Sequence, residues 1–282
     1  MKNMNMAIIG GDRRFELLSK MLESKGNTVC HVGRGNAITE EEISSIEKAE
    51  VIILPIPCTA DGKRINGGGK PKITEDLIKA MEGKKVFAGM VENLTEEVRG
   101  RLDITDYGKR EDYLILNAQA TAEAAFAISV ELSEKALFNS SVLILGFGRI
   151  GKTLAALFKA SGAKVTVCAR RSEHFAQIEC LGAEKAAYRE LKERAEESDI
   201  IINTVPARVV DEKVIETLSK QTVIIDLASG EGGTDFEAAV KHGITAEHAL
   251  SLPGKYSPVS AAGFIMDTID AMLEEVKEDE RN

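Results

Sequence analysis

The sequence predicts an α/β protein with two parallel-sheet domains. Three observations carry the prediction. Short apolar runs (residues 6–9, 51–54, 142–145 and 200–202) recur with helical-period segments between them. Such alternation marks a parallel sheet covered on both faces. Two of the runs empty into glycine turns that open helices, Gly10-Gly11 and Gly146-Phe147-Gly148. At 282 residues, 44% of them hydrophobic, the chain is long enough for two modest cores.

In the first half, Met6-Ala7-Ile8-Ile9 is a strand and Gly10-Gly11-Asp12-Arg13-Arg14 its exit turn. Phe15, Leu18, Met21 and Leu22 repeat at helical spacing, and Gly26 ends that helix before a strand over Thr28–Val32. Arg13 and Arg14, at the carboxyl end of a strand, are candidate anchors for a substrate carboxylate, because a guanidinium grips one bidentately. Solvated turn residues are the alternative. The run 51–54 is a buried strand leading to Pro55, Ile56 and Pro57. The glycine-rich segment 59–71, with Lys63, Arg64 and Asn66, reads as a mobile loop or short hairpin over a ligand cleft, and it lacks the G-K-[S/T] signature of a phosphate loop. Thr74 caps a helix through Ala80, Lys85–Ala88 is the next strand, and Thr95 caps another helix. The run 113–116 reads as a last strand that Asn117 ends. Thr121-Ala122-Glu123 then opens an alanine-rich helix toward Leu137. Thr121 and Glu123 are candidate site residues; a cap and a favourable first-turn acid are the alternative.

In the second half, Val142-Leu143-Ile144-Leu145 runs into Gly146-Phe147-Gly148-Arg149-Ile150-Gly151, and Leu154, Leu157 and Phe158 follow at helical spacing. Strand, G-x-G-x-x-G and helix together form the dinucleotide fingerprint. Its glycines serve a tight turn, close backbone approach to a diphosphate, and helix–strand packing, while the helix start favours the negative charge. A glycine-rich turn in an ordinary α/β domain is the alternative. The second strand, Lys164–Ala169, ends in Arg170, Arg171 and Ser172 rather than in an acid. An acid there would hold NAD ribose hydroxyls. Arginines suit a 2′-phosphate, which predicts NADP, with NAD possible. A helix over 172–181, a strand near 185–187 and a strand over 200–202 follow; Asn203, Thr204, Val205 and Pro206 form its polar exit at the expected cofactor edge. Another strand ends at Asp226-Leu227-Ala228 before a glycine-rich turn, and a helix over 236–241 and a strand near Thr245 complete the alternation. The segment 250–258, with Pro253, Gly254, Lys255 and Tyr256, reads as a constrained loop. Lys255 is a candidate carboxylate anchor or proton donor, and Tyr256 a hydrogen-bond partner. A helix from about Ser260 closes the chain, and the charged tail 274–282 is expected to fray.

The expected plan is two Rossmann-like parallel-sheet domains flanking a cofactor and substrate cleft. Residues 1–117 form the substrate side, completed by a helix over 260–278; 118–138 is an interdomain helix, and 139–256 holds NADP. Aromatic residues make up 5% and Trp is absent, so stacking platforms for bases are few. A formal charge of −9 disfavours nucleic acid and anionic membranes as partners. Cys30, Cys58, Cys168 and Cys180, like His31, His174, His242 and His248, show no ligand spacing, so no metal is expected and buried thiols are favoured over disulfides. Without an 18-residue apolar run or a signal-like start, a cytoplasmic protein is expected.

The order of these segments resembles the dipicolinate synthase A-subunit family. The resemblance runs from Ala7-Ile8-Ile9-Gly10-Gly11-Asp12 and Arg14 through Ile53-Leu54-Pro55, Asn117, Thr121 and Glu123. It is strongest in Leu145-Gly146-Phe147-Gly148-Arg149, Ala169-Arg170 with Ser172, Asn203-Thr204 with Pro206, Asp226-Leu227-Ala228-Ser229, Gly232-Gly233-Thr234-Asp235 and Leu252-Pro253-Gly254. The resemblance implies NADP-dependent oxidation of dihydrodipicolinate to dipicolinate in a lysine-pathway branch used for sporulation. It also implies a flavoprotein-like partner, the dipicolinate synthase B-subunit, and synthesis in the mother-cell cytoplasm. A homo-oligomer is expected by analogy with two-domain dehydrogenases. The second half is also similar to alanine dehydrogenase and the transhydrogenase nucleotide domain, although the His-Leu-Ala segment carrying the alanine-dehydrogenase histidine is not found. On this reading Arg14 and Lys255 anchor two carboxylates, Lys63 or Arg64 closes over the anion, and Glu123 is a possible base. A dehydrogenase of another small carboxylate or amino acid, and a noncatalytic nucleotide-sensing protein, are the alternatives.

Overall fold

The computed structural model describes residues 3–279, with C-terminal side chains described through residue 276. The chain divides into two compact units, Met1–Asn117 with Ser257–Asn282, and Ala118–Tyr256. Each holds one parallel Rossmann-like sheet.

The first unit alternates β1 (Asn5–Ile9), α1 (Arg13–Ser24), β2 (Thr28–Val32), α2 (Glu40–Glu47), β3 (Val51–Ile53), α3 (Glu75–Met81), β4 (Lys85–Ala88), α4 (Glu96–Arg101) and β5 (Asp103–Asp106). The sheet order is β2-β1-β3-β4-β5, and every pairing is parallel. Period-two alternation sorts the strands between two cores. Met6, Ile8, Val51 and Ile53 pack on one face with Phe15, Leu18 and Leu22 of α1. Ala7, Ile9, Ile52 and Leu54 pack on the other with Leu77, Ile78 and Met81 of α3 and Val98 of α4. A sheet covered on both faces needs apolar residues at both parities, which is why its strands read as unbroken apolar runs.

The helix α5 (Glu111–Leu132) carries the chain from one unit's residues to the other's. The second unit then holds β6 (Ser141–Leu145), α6 (Arg149–Ala160), β7 (Lys164–Ala169), α7 (Ser172–Cys180), β8 (Glu184–Ala187), α8 (Leu191–Glu196), β9 (Ile200–Asn203), α9 (Glu212–Ile215), β10 (Val223–Asp226), α10 (Phe236–His242), β11 (Thr245–His248) and α11 (Leu252–Tyr256). Its strand order is β11-β10-β9-β6-β7-β8. Val142, Ile144, Ile200 and Ile202 face a core shared with α5, α6 and α7, whereas Leu143, Leu145 and Ile201 face one shared with α8, α9 and α10. The last helix, α12 (Pro258–Asp279), belongs to the first unit, where Ile265, Ile269, Met272 and Leu273 join the core beside α1.

Several local expectations are corrected. The run 113–116 is not a strand: it lies in α5, which starts at Glu111, so Thr121 and Glu123 sit inside the helix rather than opening it. Tyr113 is 3% exposed, Ile115 53% and Leu116 38%, which fits a helical stripe and not strand alternation. Glu111 and Asp112 supply the acidic first turn that favours a helix start. The last strand of this unit is instead β5, whose polar sequence hides it. The helix α2 has no counterpart in the sequence reading; Thr39 and Glu42 form its capping box. Part of the loop 250–258 winds into α11. Cys180 is exposed rather than buried. The last helix runs through Asp279, and residues 280–282 of the charged tail lie outside the described residues.

The segment 59–71 is tied down by antiparallel bridges Thr59↔Ile65 and Arg64↔Lys72, and Gly67 bridges Gly11 at the exit of β1. Among the described residues no helix is long and apolar enough to cross a membrane, and no group of three or more His, Cys, Asp or Glu could hold a metal.

Candidate functional site

In an open parallel sheet, ligands bind beyond the carboxyl ends of the strands where the strand order reverses. In the second unit that point lies between β6 and β9. The turn after β6 starts with Gly146 at φ +97, a conformation that favours glycine. A Cβ at Gly151 would fall 2.2 Å from the Gly146 carbonyl oxygen, so only glycine lets α6 lie this close to the turn. A Cβ at Gly148 would meet nothing within 4 Å, so the backbone there faces open space. Gly148 caps α6 without a side-chain hydrogen bond. The result is an uncapped helix start behind an open glycine backbone, which suits a diphosphate.

Beside the turn lies a cavity of about 270 Å³ lined by Gly146, Phe147, Ala169, Arg170, Arg171, His174, Tyr188 and Val205. The Arg170 guanidinium stacks 5.3 Å from the Tyr188 ring centre. Burial pushes the Tyr188 phenol up to about 12, so it stays neutral. Arg171 pairs with Glu173 at 3.1 Å and hydrogen-bonds His174, and Ser172 is exposed at the start of α7. Partial burial and the Arg171 charge hold His174 below its ordinary 6.5. The Phe147 ring meets His174 edge-on at 5.4 Å and lies under the Lys152 ammonium at 5.5 Å. Arg149 and Ile150 form the first turn of α6. An open backbone turn, a flat cationic wall and a cavity at the switch point are features that suit a dinucleotide.

Asn203 and Asp226 lie one layer deeper, and both are 0% exposed. The Asn203 amide donates to Asp226 at 3.1 Å and to the Val205 carbonyl at 3.0 Å, while its oxygen accepts from Val205 N–H. Asp226 also accepts from Ala228 N–H and Gly233 N–H. These side chains are satisfied within the protein and fix the loops that carry Val205, Leu227 and Ala228. Thr204 donates to the Leu145 carbonyl at 2.8 Å, tying the β9 exit to β6, and Pro206 is exposed. Pro253 is buried and Gly254 half-buried in α11.

Glu123 is exposed and accepts from Gln119 at 2.8 Å. Thr121 is buried at 8% exposure. Lys255 and Tyr256 are exposed at the end of α11.

The first unit has its own switch point, between β1 and β3. Arg14 sits there. Its Nε and Nη2 donate to the Asp12 carboxylate at 2.8–3.1 Å, and Nη2 also reaches the Ile56 carbonyl at 3.1 Å. Burial alone would raise the Asp12 pKa, but the Arg14 hydrogen bonds and charge hold it below its ordinary 3.8. Arg13 is exposed. Lys63 and Arg64 line a different cavity of about 590 Å³, with Lys72, Thr74, Thr95 and Glu97, in which Arg14 takes no part.

The sequence reasoning missed Tyr188, His174 and the Asp12 fork. A signal existed for the first: Tyr188 directly follows β8, and strand exits are where such sheets place ligand contacts. His174 sits in the first turn of α7, the helix that Ser172 opens.

Comparison with known proteins supplies the remaining context. Residues 5–105 match the family model for the N-terminal domain of the dipicolinate synthase A-subunit. Residues 111–243 match that of the NAD binding domain of D-isomer specific 2-hydroxyacid dehydrogenase. The dipicolinate synthase A-subunit of Bacillus subtilis (strain 168) is 30% identical, with 98% of each chain covered. The crystal structure of the dipicolinate synthase A-subunit from Bacillus halodurans is similar at a TM-score of 0.85 and 28% identity, covering 96% of this chain and 98% of that one. Transhydrogenase from Sinorhizobium meliloti shares the fold at a TM-score of 0.68 and 18% identity, with 96% and 94% covered. The match over residues 111–243 falls largely in the second unit, Ala118–Tyr256.

Proposed function

Because the chain belongs to the dipicolinate synthase A-subunit family, we propose that it catalyses the NADP-dependent oxidation of dihydrodipicolinate to dipicolinate. One observation supports the reading beyond the family match: the two switch points differ in chemistry, one an open glycine turn suited to a dinucleotide, the other a fixed arginine suited to a carboxylate. The substrate loses one hydride and one proton, and the product is an aromatic pyridine. Bound NADP supplies the hydride acceptor.

The chain's own residues bind and orient. The turn Gly146–Gly151 and the start of α6 hold the diphosphate, and Arg170 with Ser172 holds the 2′-phosphate, which favours NADP over NAD. Arg14 presents its Nη1 amino group to a substrate carboxylate, and Lys255 is a candidate carboxylate anchor of the second unit. Glu123 is the acceptor for the released proton. Aromatisation drives the step, so positioning matters more than base strength. A flavoprotein-like partner, a homo-oligomeric state and a mother-cell cytoplasmic setting during sporulation belong to the same proposal.

The test is reduction of NADP at 340 nm with dihydrodipicolinate, alone and with the flavoprotein-like partner. A folded, cofactor-binding protein that gives no signal in either condition would sink the reading.

A further inference from the structure

We propose that Asp12 is the positioning residue of the Arg14 anchor: with the Ile56 carbonyl it holds one edge of the guanidinium, so that the Nη1 edge is presented to a substrate carboxylate. This rests on the dicarboxylate reading above.

The geometry is one-sided. Asp12 takes Nε through both carboxylate oxygens, at 3.0 and 3.1 Å, and Nη2 through Oδ2 at 2.8 Å. Ile56, at the exit of β3, takes the other Nη2 hydrogen at 3.1 Å. Among the described residues Nη1 has no hydrogen-bond partner. The side chain of Arg14 is 12% exposed and that of Asp12 50%, so the arginine is the enclosed member of the pair. The Phe15 ring lies 5.8 Å from the guanidinium carbon. Tyr107 donates to the Leu54 carbonyl and stacks edge-on with Tyr113 at 5.6 Å, which walls the same strand end with aromatic surface.

A free arginine loses rotamer entropy when it is immobilised. Here the immobilisation precedes the ligand, so binding does not bear it again. Asp12 also opposes anion binding, because it offsets the Arg14 charge. Its half-exposed carboxylate is screened by water, which weakens that opposition while leaving the hydrogen-bond geometry intact.

Asp12 has a second task that the test must separate. It caps α1 by accepting from Arg14 N–H at 3.0 Å. Asp12→Ser keeps a capping oxygen and deletes the fork, and Asp12→Asn keeps the cap and one fork acceptor. In the full chain, calorimetric titration with pyridine-2,6-dicarboxylate reads the anchor without turnover, and KM and kcat for dihydrodipicolinate are measured with NADP and the flavoprotein-like partner. Asp12→Ser is expected to weaken dicarboxylate binding and raise KM about tenfold, with kcat, NADP affinity and Tm little changed. Asp12→Asn is expected to fall between. If Arg14→Ala weakens binding and Asp12→Ser does not, Arg14 acts without Asp12 and the inference is overturned. Tighter binding in Asp12→Ser would show that Asp12 competes with the ligand and would overturn it too. A parallel fall in Tm and NADP affinity would make its role one of folding, against the inference. If Arg14→Ala itself leaves dicarboxylate binding unchanged, the carboxylate reading of Arg14 fails, and this inference with it.

Discussion

The two switch points begin from the same topology and end with opposite chemistry. After β6, the glycine turn opens outward: a Cβ at Gly148 would touch nothing within 4 Å. After β1, the corresponding turn is filled by the chain itself. Gly11 N–H donates to the Asn66 carbonyl at 2.8 Å, and a Cβ at Gly10 would fall 2.6 Å from that oxygen. The segment around Gly67 thus occupies the backbone donor that a diphosphate would use in the other unit. What the first unit offers a ligand is a side chain, Arg14, and what the second offers is chiefly backbone. A glycine turn at a strand exit is therefore a nucleotide signal only where nothing else in the chain fills it.

The largest test breaks the open turn. Gly151→Val drives a side chain into the Gly146 carbonyl and should weaken NADP binding about a hundredfold, on the order of 3 kcal/mol. Fluorescence titration reads it, and binding within threefold of wild type would refute the assignment. Next, Arg14→Ala should raise KM for the dicarboxylate about 10–100-fold, the equivalent of about 1.5–3 kcal/mol for hydrogen bonds to a charge, with NADP affinity unchanged. A change in NADP affinity instead would erase the contrast between the two points. Gly67→Val attacks the filled turn: a Cβ there would lie 2.5 Å from the Gly11 nitrogen. A loss of about 2 kcal/mol in stability is expected, seen as a lower denaturation midpoint with NADP affinity retained. Arg170→Ala sharpens the nucleotide side, lowering the NADP-to-NAD affinity ratio about tenfold; an unchanged ratio moves the 2′-phosphate elsewhere. The smallest effect is with acid. The folded pKa of Asp12 lies below its ordinary 3.8, so its contribution to stability is complete above 3.8 and is lost as pH falls below it through the folded value. The small stability difference between wild type and Asp12→Ser, too small to move Tm much at neutral pH, should shrink in that window.

The open turn was legible because its requirements are local: strand, three glycines and helix stand within a dozen residues. The sheets were legible for a related reason, since burial on both faces writes β1, β3, β6 and β9 as apolar runs. The polar β5 escaped because an edge strand needs no such run. The α5 start was misread because four apolar residues carry no decisive period until the exposed faces of Ile115 and Leu116 are known. At the sites, the loss has another cause. Tyr188 meets Arg170 only after β7 and β8 pair, and the plug on Gly11 comes from a loop 55 residues later in the chain (Asn66 against Gly11). Asn203 and Asp226 were visible as residues at strand exits, but only the folded network shows that each has its partners within the protein.

The place of α12 sets an order in time. Its apolar residues complete the core around α1, yet they leave the ribosome after all of Ala118–Tyr256. At about 5–20 residues per second, the amino-terminal core waits on the order of ten seconds for its last wall. The second unit can close while the first still exposes the surface of α1 that α12 will cover. The end of the protein synthesised first is the one whose core is finished last.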